Sequence, residues 1–125
     1  MKNREEIINN YIEGYNSFNV SKMMKDLSDE IVFENIQNGE TTMTLNGIDE
    51  FKTQAEIAKN YFSVRQQKIK SFWHEKEKCE IEIEYFGVLA IDFPNGMKKG
   101  GEIKLNGKSI FEFNDEKIIR LTDIS

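Results

Sequence analysis

Apolar residues recur at helical spacing near the start of the chain. Ile7, Ile8, Tyr11, Ile12, Tyr15 and Phe18 fall three, four and seven apart, which is one face of a helix. The pattern predicts a first helix over residues 4 to 17. Asn19 is placed to cap a short second helix, with Val20, Met23, Met24 and Leu27 as its apolar stripe and Ser28-Asp29-Glu30 as its end. The period then changes to two. Ile31, Phe33 and Asn35 share one face of a strand, and Val32 and Glu34 the other. Asn38-Gly39 is a turn signal, and Thr41 to Leu45 is the return strand of a small hairpin. Asn46-Gly47 opens a third helix over Ile48 to Asn60, with Phe51, Ala55, Ala58 and Phe62 on its inner side.

The remainder reads as four long strands: Val64 to His74, Cys79 to Ile91, Lys99 to Phe113 and Lys117 to Ile124. Glu75-Lys76-Glu77-Lys78, Pro94-Asn95-Gly96 and Asn114-Asp115 are the reversals between them. Cys79, Ile81, Ile83 and Tyr85 alternate with Glu80, Glu82 and Glu84, so one face is apolar and the other acidic. Lys68 and Lys70 are placed to meet those glutamates across a ladder. Ile103, Leu105, Ser109, Phe111 and Phe113 share a face, and Gly100-Gly101 and Gly107 mark bends or bulges. Helices first and antiparallel strands afterwards is an α+β order. Three N-terminal helices pack in a strongly curved, mainly antiparallel sheet, making one domain over residues 1 to 125. A twisted sheet folded around a helix makes a cone, and a cone leaves space at its wide end.

Composition narrows the partners. The chain has 125 residues, 38% hydrophobic and 31% charged, with a formal net charge of −5, values expected of a globular domain. The negative balance argues against nucleic acid and against an anionic membrane surface, since both need clustered positive charge. No apolar run is long enough to span a bilayer, and the first residues lack an apolar signal core. The one cysteine, Cys79, forms no intrachain disulfide. A cytoplasmic location is the expectation. Cys79, the lone His74 and the scattered acids offer no metal-ligand spacing, so no metal and no cofactor are expected.

The element order, together with Tyr11-Ile12-Glu13-Gly14-Tyr15-Asn16-Ser17-Phe18-Asn19-Val20, Leu27-Ser28-Asp29-Glu30-Ile31-Val32-Phe33 and Asn46-Gly47-Ile48-Asp49-Glu50-Phe51, resembles the nuclear transport factor 2-like (cystatin-like) fold. More narrowly it is similar to the SnoaL-like and ketosteroid isomerase-like families, over nearly the whole chain. The resemblance implies an apolar cavity for a small molecule and a homodimer through the outer sheet face. Ketosteroid isomerases carry a tyrosine donor on the first helix, an aspartate base late in the first strand and a protonated aspartic acid on the penultimate strand. By position these fall on Tyr11, Asn35 and Ser109. An amide cannot take a proton at neutral pH, so steroid isomerisation by the family dyad is disfavoured. Tyr11 with Ser109 remains as an oxyanion- or carbonyl-binding pair. Epoxide hydrolases of this fold resemble an Asp-Arg-Asp arrangement with Arg and Asp two apart on a strand, and Arg65-Gln66-Gln67 and Arg120-Leu121-Thr122 lack that acid. The histidine-dependent dehydratases and cyclases find only His74.

Each candidate carries a plainer alternative. Tyr11 and Tyr15 could be core tyrosines satisfied by backbone or water, and Tyr15 reads as scaffold. Asn35 could pin a strand end to a loop. Trp73, large and rigid, is expected at the cavity wall, and His74 beside the turn is expected in solvent. Cys79 reads as a small hydrophobe on the inner face. Glu34 points outward on a regular strand and reaches the interior only through a bulge. The reading that results is a small-molecule-binding protein with Tyr11, Asn35, Trp73, Tyr85 and Ser109 lining its cavity and Tyr11 as oxyanion donor. If it is an enzyme, it isomerises, cyclises or dehydrates next to a carbonyl. The competing reading is a non-catalytic homodimeric interaction or carrier module, with Phe72, Ile110 and Ile119 exposed on the outer face as its contact patch.

Overall fold

A computed structural model describes residues 3–125. The first helix, α1 (Arg4–Asn16), starts at a reciprocal cap: the Asn3 side chain accepts from the Glu6 amide at 2.8 Å and donates to the Glu6 carboxylate at 3.1 Å. Ile7, Ile8, Tyr11, Ile12 and Gly14 form its buried stripe. The helix ends as the chain turns left-handed at Phe18, with φ of 58°, and the Asn19 amide returns to the Gly14 carbonyl at 2.8 Å. Asn19 then caps α2 (Val20–Met24) through its side chain. The two helices touch so closely at Gly14 that a Cβ there would lie 2.8 Å from the Met23 amide nitrogen.

The strands are β1 (Leu27–Gln37), β2 (Glu40–Asn46), β3 (Phe62–His74), β4 (Lys78–Leu89), β5 (Glu102–Asn114) and β6 (Lys117–Ile124). Helix α3 (Ile48–Ala58) and a 3₁₀ turn (Lys59–Tyr61) link β2 to β3. Several expected boundaries move, among them the end of β4, at Leu89 and not Ile91, and the start of β5, at Glu102 and not Lys99. Ser28-Asp29-Glu30 belongs to β1, not to a helix end, because Leu27 already pairs with Ile118 of β6. The third helix stops at Ala58, and the tighter turn carries the chain to the sheet. All three helices lie in the first half of the chain, although the β1–β2 hairpin separates the second from the third.

The six strands form one sheet in the order β2-β1-β6-β5-β4-β3. β3 to β6 are an antiparallel meander, while β6 runs parallel to β1 and so joins the hairpin to the meander. Helices α1, α2 and α3 cover one face. Phe111, Ile81, Ile31 and Leu121 are sealed against Ile7, Ile8, Tyr11 and Phe51 in a single hydrophobic cluster. On the other face, Lys70 reaches Glu84 at 3.6 Å and Lys68 stands opposite Glu84 in the ladder, the expected match of β3 lysines to the glutamates, and Lys108 of β5 adds an unforeseen contact to Glu80 at 3.8 Å. Such exposed pairs contribute little stability and help fix register.

A register shift between Ile69 and Ser71 decides the inner end of β3. Before it, Arg65, Gln67 and Ile69 turn inward with period two. The extra residue moves the inward set from Ser71 and Trp73 to Phe72. Trp73 is therefore 68% exposed, and Phe72 packs on the core. This reverses the expected positions of both: Trp73 is not a cavity wall, and Phe72 is not an outer-face patch residue. Ile119 does remain exposed. Gly107 is not a bulge either, since the β4–β5 ladder passes it without a shift. It allows a close approach, for a Cβ there would meet the Ile124 carbonyl at 2.9 Å. No helix among the described residues is long and apolar enough to cross a membrane.

Candidate functional site

Between the helices and the sheet lies a cavity of about 440 Å³, within the range of small-molecule sites. Its wall is mainly apolar, with Phe33, Phe51, Leu45 and Ile83 among the contributors. Of the residues expected to line it, Tyr11, Asn35, Tyr85 and Ser109 do so and Trp73 does not. Tyr15, expected as scaffold, also reaches it.

The polar groups cluster on adjacent strands. Strand register places Asn35 of β1 beside Asp123 of β6, and Asp123 beside Ser109 of β5. Ser109 is buried and its Oγ donates to Asp123 Oδ1 at 2.7 Å. Burial pushes the Asp123 carboxyl up to about 6, against the opposing effect of the Ser109 hydrogen bond. Tyr11 is buried on α1 with its ring edge-on to Phe111 at 5.8 Å. Its phenol is held well above the usual tyrosine range, first by burial and then by the charge of Asp123, with Arg65 opposing. Tyr11 thus stays protonated and can only donate from, or accept at, a neutral hydroxyl, within electrostatic reach of Asp123.

Asn35 has a different engagement. Its Nδ2 donates to Thr42 Oγ1 at 2.8 Å, and that hydroxyl donates to the Asn35 carbonyl at 3.2 Å. The amide thereby holds β1 to the neighbouring strand β2, not to a loop, where their register shifts between Asn35 and Ile36. That irregularity does not bring Glu34 inward. Glu34 pairs with Arg120, which also lies 3.7 Å from Glu112, and it lines no part of the cavity. Glu34 is accordingly not a substitute base.

At the opposite wall, the Tyr15 and Tyr85 hydroxyls are 2.8 Å apart. Burial is the leading cause that raises both phenols above their ordinary value. Arg65 lies against this pair. It is only 3% exposed, its Nε donates to the Tyr15 carbonyl at 2.8 Å, and its guanidinium carbon sits 3.8 Å from the Tyr15 ring centroid and 4.8 Å from that of Phe18. The end of α1 is held beside it, because the Asn16 side chain bonds both the amide and the carbonyl of Gln67. His74 lies outside the cavity, stacked on Phe72 and 2.6 Å from Glu5. Cys79 is fully buried, as expected of a small hydrophobe.

Two residues were not anticipated, and both have a signal in the alternation. In β6, Leu121 is a core residue, so period two puts Asp123 on the same inner face. In β3, assigning Lys68 and Lys70 to the glutamate face leaves Arg65 and Gln67 on the other. The motif search for an acid two positions after an arginine stops one residue short of Asp123 and treats Arg65 only as part of that motif.

The arrangement is a cystatin-type fold of the kind found in SnoaL-like, ketosteroid isomerase-like and nuclear transport factor 2-like proteins, α+β with a six-stranded sheet. Three solved structures illustrate the likeness. A candidate polyketide cyclase from Xanthomonas campestris superposes with a TM-score of 0.80 at 17% identity, over 97% of this chain and 88% of that one. A candidate SnoaL-like polyketide cyclase from Jannaschia gives 0.77 at 11%, over 95% and 82%. A protein with a ketosteroid isomerase-like fold from Catenulispora acidiphila gives 0.76 at 12%, over 94% and 83%. No protein-family model matches the sequence, and neither does any curated protein.

Proposed function

We propose that the protein is an acid–base catalyst that moves a proton next to a carbonyl of a small, mostly apolar molecule bound in the cavity, with Asp123 as the base. The observation that carries this is a carboxyl with its pKa raised to about 6, facing an apolar cavity within reach of a buried neutral phenol. A general base works best with a pKa near the operating pH, and burial in a protein cavity is how a carboxylate acquires one. The families' aspartates are missing at Asn35 and Ser109, but Ser109 now has a role. It holds the Asp123 carboxyl by one oxygen and leaves the other for the substrate.

In this reading the substrate carbonyl accepts a hydrogen bond from the Tyr11 hydroxyl. Asp123 removes the proton from the neighbouring carbon, the C–H electron pair becomes the C=C bond of an enolate, and negative charge moves to the oxygen held by Tyr11. Return of the proton at another carbon isomerises the substrate. Attack by the enolate carbon on a second carbonyl closes a ring as the oxygen of that carbonyl takes the proton from Asp123, and loss of a β-hydroxyl, protonated by Asp123 to leave as water, dehydrates the substrate. The likeness in fold to two candidate polyketide cyclases supports the ring-closing variant.

The test is hydrogen–deuterium exchange at the carbon next to the carbonyl of 2-tetralone, followed by NMR in D₂O. The wild type should accelerate exchange above buffer, with a rate that rises through pH about 6, and Asp123→Asn should abolish the acceleration. Equal rates for wild type and Asp123→Asn across that range count against Asp123 as the base.

A further inference from the structure

The buried guanidinium of Arg65 is only partly used by the fold. Its Nε caps the carboxyl end of α1 through the Tyr15 carbonyl, a favourable place for a cation. Its flat face is covered by the Tyr15 and Phe18 rings, which offsets part of its desolvation. Nη2 is left over. It is buried and meets no acceptor, carboxylate or otherwise, among the described residues. A side chain that is 3% exposed, charged and incompletely hydrogen-bonded is costly in a finished core. In the wall of a ligand cavity it is a group waiting for an acceptor, and Arg65 lines the cavity.

The acceptor that suits a guanidinium best is a planar anion, because its nitrogens form a rigid fork matching two oxygens. The carboxyl in the wall, Asp123, lies on β6, three strands from β3, which carries Arg65, and the other cation that reaches the wall, Lys108, is half-exposed and turned to Glu80. The cavity therefore has a buried cation at the end of α1 and a carboxyl at the β1–β6–β5 seam, and the phenols of Tyr11 and Tyr85 feel both charges.

We propose that Arg65 is the docking point for an anionic group, so that the cavity takes an apolar small molecule carrying a carboxylate. This rests on the acid–base reading of the same cavity for what happens at the carboxyl, but the docking point stands or falls separately. A carboxylate against the guanidinium would supply an acceptor, neutralise the buried charge and orient the rest of the molecule towards Tyr11 and Asp123. A molecule of the same shape without the charge would lack that anchor.

The matched probes are 2-naphthoate and 2-naphthamide, which differ in the charge of one small group. Their dissociation constants would be measured by titration calorimetry at pH 7.5 with the wild type, Arg65→Met and Asp123→Asn. The wild type should prefer 2-naphthoate by about tenfold or more. Arg65→Met should lose the preference, and Asp123→Asn should keep it. A wild type that binds both probes equally, or neither, overturns the proposal. So does a preference that survives in Arg65→Met or disappears in Asp123→Asn. Because Arg65 also caps α1, a readout on the unaltered protein accompanies these: the Arg65 Nε–H resonance should shift with 2-naphthoate and stay in place with 2-naphthamide. Equal shifts, or none, overturn the assignment. If tetralone exchange fails while the naphthoate preference tracks Arg65, the anion site stands and the catalytic reading does not.

Discussion

Replacing Asp123 by asparagine should change how stability depends on pH, and the size of the change follows from the site. The folded carboxyl titrates at about 6, against 3.8 for the group in the unfolded chain. That difference of roughly two units corresponds to about 3 kcal/mol, and water entering the cavity would reduce it to about 2–3 kcal/mol. The direction is opposite to that of a salt-bridged aspartate. Below pH 4 the carboxyl is protonated in both states and contributes nothing to pH dependence. Between pH 4 and 6 the folded protein holds a proton that the unfolded chain has released, so rising pH favours unfolding. Above pH 6 both states are ionised and the full penalty remains. Asparagine keeps the shape and an acceptor for Ser109 but never ionises. Urea unfolding of wild type and Asp123→Asn at pH 4 and at pH 8 separates this one group from every other. The variant's stability relative to wild type should be about 2–3 kcal/mol greater at pH 8 than at pH 4. Stability curves for the two proteins that run parallel across this range would refute both the burial of the charge and its use as a base.

Other substitutions test the placement of the remaining residues. Tyr11→Phe should fold normally, since the ring contacts with Phe51 and Phe111 persist, yet lower the tetralone exchange rate by roughly 10- to 1,000-fold, the range for loss of one oxyanion donor. Trp73→Ser should leave 2-naphthoate affinity within about twofold by calorimetry, because the indole lies on the outer face. Gly14→Ala should destabilise by about 1–3 kcal/mol in urea unfolding despite its better helix propensity, since the new methyl would press on the Met23 backbone. Phe111→Ala, which empties the centre of the core, should cost about 3–5 kcal/mol by the same measurement.

Where periodicity runs unbroken the sequence is readable. The Ile7–Tyr15 stripe and the Cys79–Tyr85 alternation place α1 and β4 correctly, along with Tyr11, Tyr85 and their cavity. Reading fails where one residue is inserted. The irregularity after Ile69 exchanges Trp73 and Phe72 between faces, and nothing local in Lys70-Ser71-Phe72 announces it, since the bulge is a property of the pairing with β4. Parallel pairing of β6 with β1 is equally silent, because it joins segments that share no turn. Asp123 was missed for a chemical reason. Its meaning comes from Ser109 on one neighbouring strand and from the apolar wall around it, and a lone aspartate near a strand end carries neither in its own sequence. Arg65 has no meaning of its own in the sequence either, because its role depends on the rings of Tyr15 and Phe18 that enclose it.

The position of β6 bears on how the molecule assembles. The hairpin β1–β2 and the meander β3–β5 are hydrogen-bonded to each other only by way of that strand. Its Arg120–Glu34 contact joins positions 86 apart, so a large loop must close before the hairpin can dock. Loop closure on this scale slows folding far more than it reduces stability. The β1–β2 hairpin and the meander through β6 can each form locally, but the interior between them is completed only when β1 docks on β6. Asn35, Asp123 and Ser109 stand on the three strands at that seam. Until β1 docks, β6 presents an open edge on the side of Asp123 that Asn35 later covers, so full burial of that carboxyl belongs to the long-range step of assembly.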